Sequence, residues 1–492
     1  MNEDLNNDDY PQMEPGQNIA VPDLAPGTVE RILAETYGST GKLVNYVRLN
    51  SYDDQNYHVK LAKSKSDKPR KTQNHTQNGP VTSETITRDY VLKITNSFDS
   101  SRSELFDAQA ALLNHVWNAG FAIPRPVKNI NGTAWTVQEL TYEAKAKTNK
   151  DYLVSGIHGV RLFTYIPGII LAKVEITPQL LYQVGQYLGK LHNALQTFHH
   201  SFFDRHTICW SLKQTPHLRR FLHCLSNKQR RNLVESVIDA FENEVLPVEH
   251  KLPSGQLHGD FNEQNILVSQ STDNTNDVRI VGLLDFGDST RGCLIYDLAI
   301  AITYVILIAT KSSIQRDSVE AAPDSLESSD DSEKQEVQDK DFNDNFISKP
   351  TNESENTEDL VNKSGSSKTT ALRKLIQINH DQTNNLRKDI CSKRAATVLG
   401  GHVIAGYLSA HSLSEQQFQL LRTCVAARFA QSLVYGAYSY SLNPTNEYLV
   451  TTQEIGWQAL ETLWNEISAE HLTEQWKQVI ATYGVESFDT AF

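Results

Sequence analysis

Two stretches decide how this chain is read: Leu257-His258-Gly259-Asp260-Phe261-Asn262-Glu263-Gln264-Asn265-Ile266-Leu267-Val268 and, downstream, Leu283-Leu284-Asp285-Phe286-Gly287-Asp288. In the first, an aspartate and an asparagine five residues apart sit in a polar loop that runs into an apolar strand. In the second, twenty residues past Asn265, an acid again follows directly on an apolar strand. Phosphoryl transfer calls for such a set. One carboxylate orients the attacking hydroxyl and accepts its proton, while a second carboxylate and an amide oxygen hold Mg2+ against the phosphates. Hard oxygen ligands suit that ion where His or Cys would not.

The third element lies upstream. Tyr90-Val91-Leu92-Lys93-Ile94 sets one lysine in an apolar strand, and alternation puts Val91, Lys93 and Thr95 on one face. An inward-facing strand lysine calls for an anion, which nucleotide phosphate supplies. A lone HGD or DFG triplet is weak. The order strand lysine, HGD-x4-N, then an acid after an apolar strand is specific, and it is the order of kinases. All four groups are present, which counts against an inactive scaffold of the same fold.

The rest of the chain divides around these motifs. Lys42–Ala62 reads as two strands joined by the turn-rich Ser51-Tyr52-Asp53-Asp54-Gln55-Asn56. Leu105–Ala119 has helical spacing and stops at Gly120, and residues 134–140 and 159–165 read as strands. Thr177-Pro178 opens a helix, with threonine as cap and proline at the first helical position. Helices are expected near 227–245, 296–309 and 400–470. The expectation is an α+β, bilobal fold: a β-rich N-lobe over 25–165 with a polar insertion at 62–88, and a mostly helical C-lobe. The C-lobe is expected to begin at 166–311 with the catalytic and metal-binding loops and to resume at 397–492.

Composition bounds the function. The 492 residues carry a net charge of −13, which argues against a nucleic-acid binder driven by phosphate contacts. Residues 317–370 hold 15 Asp or Glu against 5 Lys, so most of that charge sits in one low-complexity stretch. An acidic insertion is therefore expected over 312–396, and a polar, unstructured N-terminus over 1–20. The five cysteines, at 209, 224, 293, 391 and 424, form no CxxC pair. The N-terminus lacks a basic-then-apolar signal pattern. The most apolar run, Leu298–Ala309, is short of the roughly 20 residues that span a membrane. The expectation is a cytoplasmic protein with no membrane partner, acting on a small molecule.

Together with SYDDQNYHV (51–59), LVSGIHGVRLFTYIPG (153–168), GGHVIAGY (400–407) and ARFAQSLVYGAYS (427–439), these motifs resemble the aminoglycoside phosphotransferase and choline-kinase-like superfamily. The resemblance runs from about residue 30 to 470. It implies a protein-kinase-like fold with Asp260 as catalytic base, Asn265 and Asp285 as Mg2+ ligands, and Lys93 on the nucleotide phosphates. It further places Asp107 as the acid paired with Lys93, Asn56 near phosphate, and Phe163, Thr164 and Tyr165 at the base-reading hinge. SYDDQN and LDFGD are most similar to members that act on 5-hydroxy-L-lysine with GTP as donor, and the residues themselves do not separate GTP from ATP. Homoserine, choline, ethanolamine and aminoglycosides are the alternative acceptors. An amino-acid acceptor carries a carboxylate and ammonium groups, so it needs an arginine and acids. Asp288 is the candidate for an ammonium, Arg428 and Arg205 for the carboxylate, and Trp210 for a pocket wall. His258 and Asp297 are expected to brace the catalytic loop, and His192 to be a satisfied core histidine.

Overall fold

The computed structural model describes residues 24–25, 27–38, 40–49, 51, 54–64, 85–145, 151–270, 278–320, 393–442 and 453–485. The N-terminus over 1–20 lies outside them, as does most of both the polar insertion at 62–88 and the acidic insertion at 312–396. One compact unit comprises residues 1–313 and 392–492, and a second comprises 314–391. Of the second, only the helical backbone to Glu320 is described.

The N-terminal part of the first unit is an antiparallel sheet of five strands: β1 (Lys42–Leu49), β2 (Gln55–Ser64), β3 (Thr85–Ile94), β4 (Thr136–Lys145) and β5 (Asp151–Thr164). They lie in the order β1-β2-β3-β5-β4. Period-two alternation sorts β3 as expected. Tyr90, Leu92 and Ile94 are buried with Tyr57, Val59, Leu61, Leu140, Val160 and Leu162. That face is covered by helix Thr28–Tyr37 through Val29, Ile32, Leu33 and Tyr37. Lys93 therefore points to the opposite face. There the register sets Asn56, Lys93 and Arg161 side by side on neighbouring strands.

The helical part begins after the hinge. Thr177 caps helix Pro178–Leu195 by accepting the Leu180 N–H at 3.2 Å. Gly185 of this helix lies so close to Val403 of helix Gly400–Leu408 that a Cβ would sit 1.8 Å from the Val403 carbonyl oxygen. A small antiparallel pair, Ile266–Gln270 with Val278–Leu283, carries the loops that end in Asn265 and begin at Asp285. Helix Ile295–Glu320 is longer than its apolar pattern suggested. It is the one described helix apolar and long enough to cross a membrane, but 72% of its apolar window is buried in the protein. With Glu415–Leu442 it forms the helical core, where Thr303 Oγ1 donates to the Val425 carbonyl at 3.2 Å.

Candidate active site

The loop from His258 to Asn265 is held from beneath. Asp297, fully buried in the first turn of helix Ile295–Glu320, accepts the N–H of His258 at 2.7 Å and of Gly259 at 2.9 Å. His192 meets the same carboxylate at 3.2 Å and the Tyr407 hydroxyl at 2.8 Å. His258 Nδ1 accepts the Asp260 N–H at 3.2 Å, so its Nε2–H donates to the Leu284 carbonyl at 2.9 Å. That bond ties the catalytic loop to the strand end before Asp285. Between the two residues, Gly259 has φ +85°, and a Cβ there would lie 2.0 Å from the Asp288 carbonyl oxygen. No other residue fits that space and conformation.

Asp260 is gripped on both oxygens. Oδ1 accepts from Arg428 Nη2 at 2.9 Å, and Oδ2 from Asn265 Nδ2 at 2.9 Å. Burial pushes its carboxyl above the ordinary range, opposed by Arg428. Asp285 is the opposite case. The Lys93 ammonium holds it below the ordinary range, although burial opposes this. Its backbone sits at φ +48°, a strained position for a residue with a side chain. Gly287 N–H donates to its Oδ1 at 3.0 Å, and Leu284 N–H donates to the Asn265 carbonyl at 2.7 Å. Asn265 and the approach to Asp285 are thereby fixed together. An ionised, half-exposed carboxylate and an amide whose nitrogen is engaged by Asp260 present two hard oxygens, which is a donor set that fits Mg2+.

Lys93 is largely withdrawn from solvent, with its side chain 15% exposed, and lies 2.8 Å from Asp54 and 3.7 Å from Asp285. Asp54 is the Lys93 partner in the structure, and this corrects the expectation for Asp107. Asp107 stands on the exposed side of helix Ser103–Asn118 and accepts the Trp135 indole N–H at 2.7 Å. Two residues on, about 200° around that helix, Gln109 is the side chain that turns inward. It donates to the Gly287 carbonyl at 3.2 Å and accepts from Arg161 at 2.6 Å. Asn96 holds Asp54 in turn, through its backbone N–H at 2.8 Å and its amide at 3.2 Å. Asn56 lies in the same row, with its Oδ1 buried and unpartnered. At the hinge, Phe163 is buried against Arg161. Thr164 and Tyr165 give their N–H groups to the carbonyls of Arg125 and Asp89, at 2.9 and 3.3 Å. Tyr165 stacks on His58.

On the far side of Asp260, Arg428 does not stand free for a substrate carboxylate. Only 2% exposed, it ion-pairs Asp260, donates to the Trp210 carbonyl at 3.2 Å and lies over the Trp210 ring. An unpaired guanidinium buried so deeply would be costly, so it takes the nearest acid. Trp210 is thus brought to the site, packed edge-on against Tyr435. Arg205 is exposed at the end of the short turn Ser201–Asp204. Burial, with Asp260 and Asp285 adding to it, pushes the Asp288 carboxyl up. Sequence reasoning missed Asp54, Gln109, Arg161 and Glu263. Asp54 was signalled only by its place in SYDDQN, and Arg161 by its alternation in the fifth strand. Burial pushes the Glu263 carboxyl up to about 7.

Fold and site define a phosphotransferase with an alcohol group as acceptor. Residues 78–322 match the family described as "Phosphotransferase enzyme family" (APH). The chain is 28% identical over 442 residues to hydroxylysine kinase of Bos taurus, covering 88% of each chain. It is 27% identical over 470 residues to hydroxylysine kinase of Xenopus laevis, covering 94% of this chain and 95% of that one. A solved amicoumacin kinase, in complex with AMP-PNP, Ca2+ and Ami, aligns over 94% of this chain and 96% of its own at 12% identity and a TM-score of 0.47. Over residues 78–322 the chain matches the APH family of phosphotransferases, whose kinases use nucleoside triphosphates, and along most of its length it resembles hydroxylysine kinase.

Proposed function

We propose that this kinase transfers the γ-phosphoryl group of GTP to the 5-hydroxyl of 5-hydroxy-L-lysine. One observation carries the choice of acceptor: Asp260, Glu263 and Asp288 lie in electrostatic range of Arg428, which already pairs Asp260, and the other cation near Asp288, Lys93, is already held by Asp54 and Asp285. That excess of acid suits an acceptor with two ammonium groups. The relatives named hydroxylysine kinase support the same reading.

In this reading Asp260 orients the acceptor hydroxyl and takes its proton. The hydroxyl oxygen forms the new bond to the γ-phosphorus as the bond from phosphorus to the β–γ bridging oxygen breaks. The products are 5-phosphohydroxylysine and the nucleoside diphosphate. Lys93, held by Asp54, neutralises phosphate oxygens. Asn265 and Asp285 would hold Mg2+, which when bound offsets phosphate charge. The hinge N–H groups of Thr164 and Tyr165 are bonded within the protein and give no basis for choosing between the two bases, so ATP is the alternative donor. An assay with Mg-GTP and Mg-ATP across hydroxylysine, homoserine, choline, ethanolamine and an aminoglycoside tests the proposal. Hydroxylysine with GTP should give the highest kcat/KM. A clear preference for choline, whose quaternary nitrogen has no N–H to donate and calls for an aromatic cage, would overturn it.

A further inference from the structure

Glu263 has no role in the transfer just described, and its setting is unusual. It sits in the catalytic loop three residues past Asp260 and is 8% exposed. Its Oε1 accepts from the Gln264 amide at 3.3 Å, its own backbone N–H also favours the carboxylate, and its Oε2 is buried without a hydrogen-bond partner. Among the described residues no lysine or arginine pairs it. Arg428 is in electrostatic range but gives its two terminal nitrogens to Asp260 and the Trp210 carbonyl. A buried carboxyl oxygen without a donor is costly, and native structures rarely leave one without a reason. A ligand cation supplies that reason.

We propose that Glu263 binds the ammonium group on the carbon next to the acceptor's hydroxyl-bearing carbon, and so selects vicinal amino alcohols. The inference rests on the proposed acceptor class. It follows from place: the hydroxyl must lie at Asp260, and Glu263, three residues on in the same loop and in electrostatic range of Asp260, is the carboxyl there whose unpartnered oxygen is fully buried and so most in need of a cation. Asp288 remains for the second ammonium. A kinase acting on an uncharged alcohol would instead leave the Glu263 oxygen buried without a donor in the complex as well.

The test compares two acceptors on wild type and Glu263→Gln. One is 5-hydroxy-L-lysine. The other is 2-amino-5-hydroxyhexanoic acid, which keeps the hydroxyl, carboxylate and α-ammonium but lacks the neighbouring ammonium. The substitution should raise KM for hydroxylysine at least tenfold and change KM for the deaminated acceptor less than twofold. Equal effects on both acceptors, or none on either, overturn the assignment. Thermal melting provides a second readout, because removing an unpaired buried carboxylate should raise the melting temperature of the unliganded protein. If Glu263→Gln folds poorly, Glu263→Asp keeps the charge and withdraws it by one methylene. It should show the same acceptor-selective rise in KM. A wild-type enzyme that prefers another vicinal amino alcohol sinks the hydroxylysine reading and leaves Glu263 to be judged on that acceptor. A preference for alcohols without an ammonium sinks both.

Discussion

Asp54→Asn probes the least expected contact in the site. Asp54 and Lys93 are 9% and 15% exposed and 2.8 Å apart, with Arg161 next to Lys93 across the sheet. Removing the only partner of a buried charge costs about 3–5 kcal/mol. Lys93 retains Asp285 at 3.7 Å, and Coulomb's law makes that contact worth about three quarters of the lost one at equal screening. The expected loss of stability is therefore smaller, about 1–3 kcal/mol. The functional effect should be larger. Without Asp54 the ammonium is drawn onto Asp285, away from the phosphates and against the oxygen proposed for the metal. Nucleotide KM should rise about tenfold, equivalent to about 1.4 kcal/mol, while acceptor KM moves far less. Urea unfolding and steady-state kinetics with each substrate varied measure both effects. Asp107→Asn is the control. Its exposed carboxylate holds one indole N–H, so it should cost about 1 kcal/mol or less and leave nucleotide KM alone. The reverse pattern, with Asp54→Asn silent and Asp107→Asn damaging, would refute the argument.

Asp260→Asn should lower kcat about 10²–10⁴-fold. It should also destabilise the fold, by about 1–3 kcal/mol, because Arg428 loses its ion pair while Asp288 and Glu263 stay in electrostatic range; turnover close to wild type would remove Asp260 as the base. Asp285→Ala should abolish the Mg2+ dependence of nucleotide binding in titrations with and without the ion, and an unchanged dependence would contradict the assignment. Asp288→Asn should raise KM for hydroxylysine about 5- to 150-fold, corresponding to about 1–3 kcal/mol for one buried charged pair. A shift confined to nucleotide or metal constants would move Asp288 to the phosphate side. His402 is buried, with its Nδ1 2.7 Å from the Tyr483 hydroxyl, and burial lowers its pKa to about 4. A depressed histidine contributes stability that is complete above its unfolded pKa of about 6.5 and is lost as pH falls towards 4. Urea unfolding at pH 7 and pH 5 should show about 2 kcal/mol lost in wild type that His402→Gln does not lose.

The legible part of this site was local. Asp260 and Asn265 share one loop, Asp285 follows a strand bonded to it, and Lys93 announces itself as a charge in an apolar strand. The alternation that faced Lys93 away from Leu92 and Ile94 is a property of any strand, so its side of the sheet followed from sequence. What stayed hidden depends on register and on long-range packing. Whether Lys93 meets Asp54 or Asp107 turns on how the turn after β1 closes onto Asn96, and that is not encoded in spacing. Arg428 lies 168 residues from Asp260, and only the packing of helix Glu415–Leu442 brings it there. Read without that packing, a lone arginine among alanines looked like a free anion binder.

The acids of the site fall into two groups by what neutralises them. Asp54 and Asp285 share Lys93, and Asp260 has Arg428; these pairings are internal to the protein and fix the groups that the transfer needs. Glu263 and Asp288 have no ion-pair partner among the described residues, and burial pushes both carboxyls up. A buried acid of that kind costs stability in the empty enzyme and repays it only when a cation arrives. In the proposed reading this division separates the groups that carry out the transfer from those that recognise the acceptor. Substitutions in the first group should damage every acceptor alike, whereas those in the second should discriminate between acceptors by the number and position of their ammonium groups.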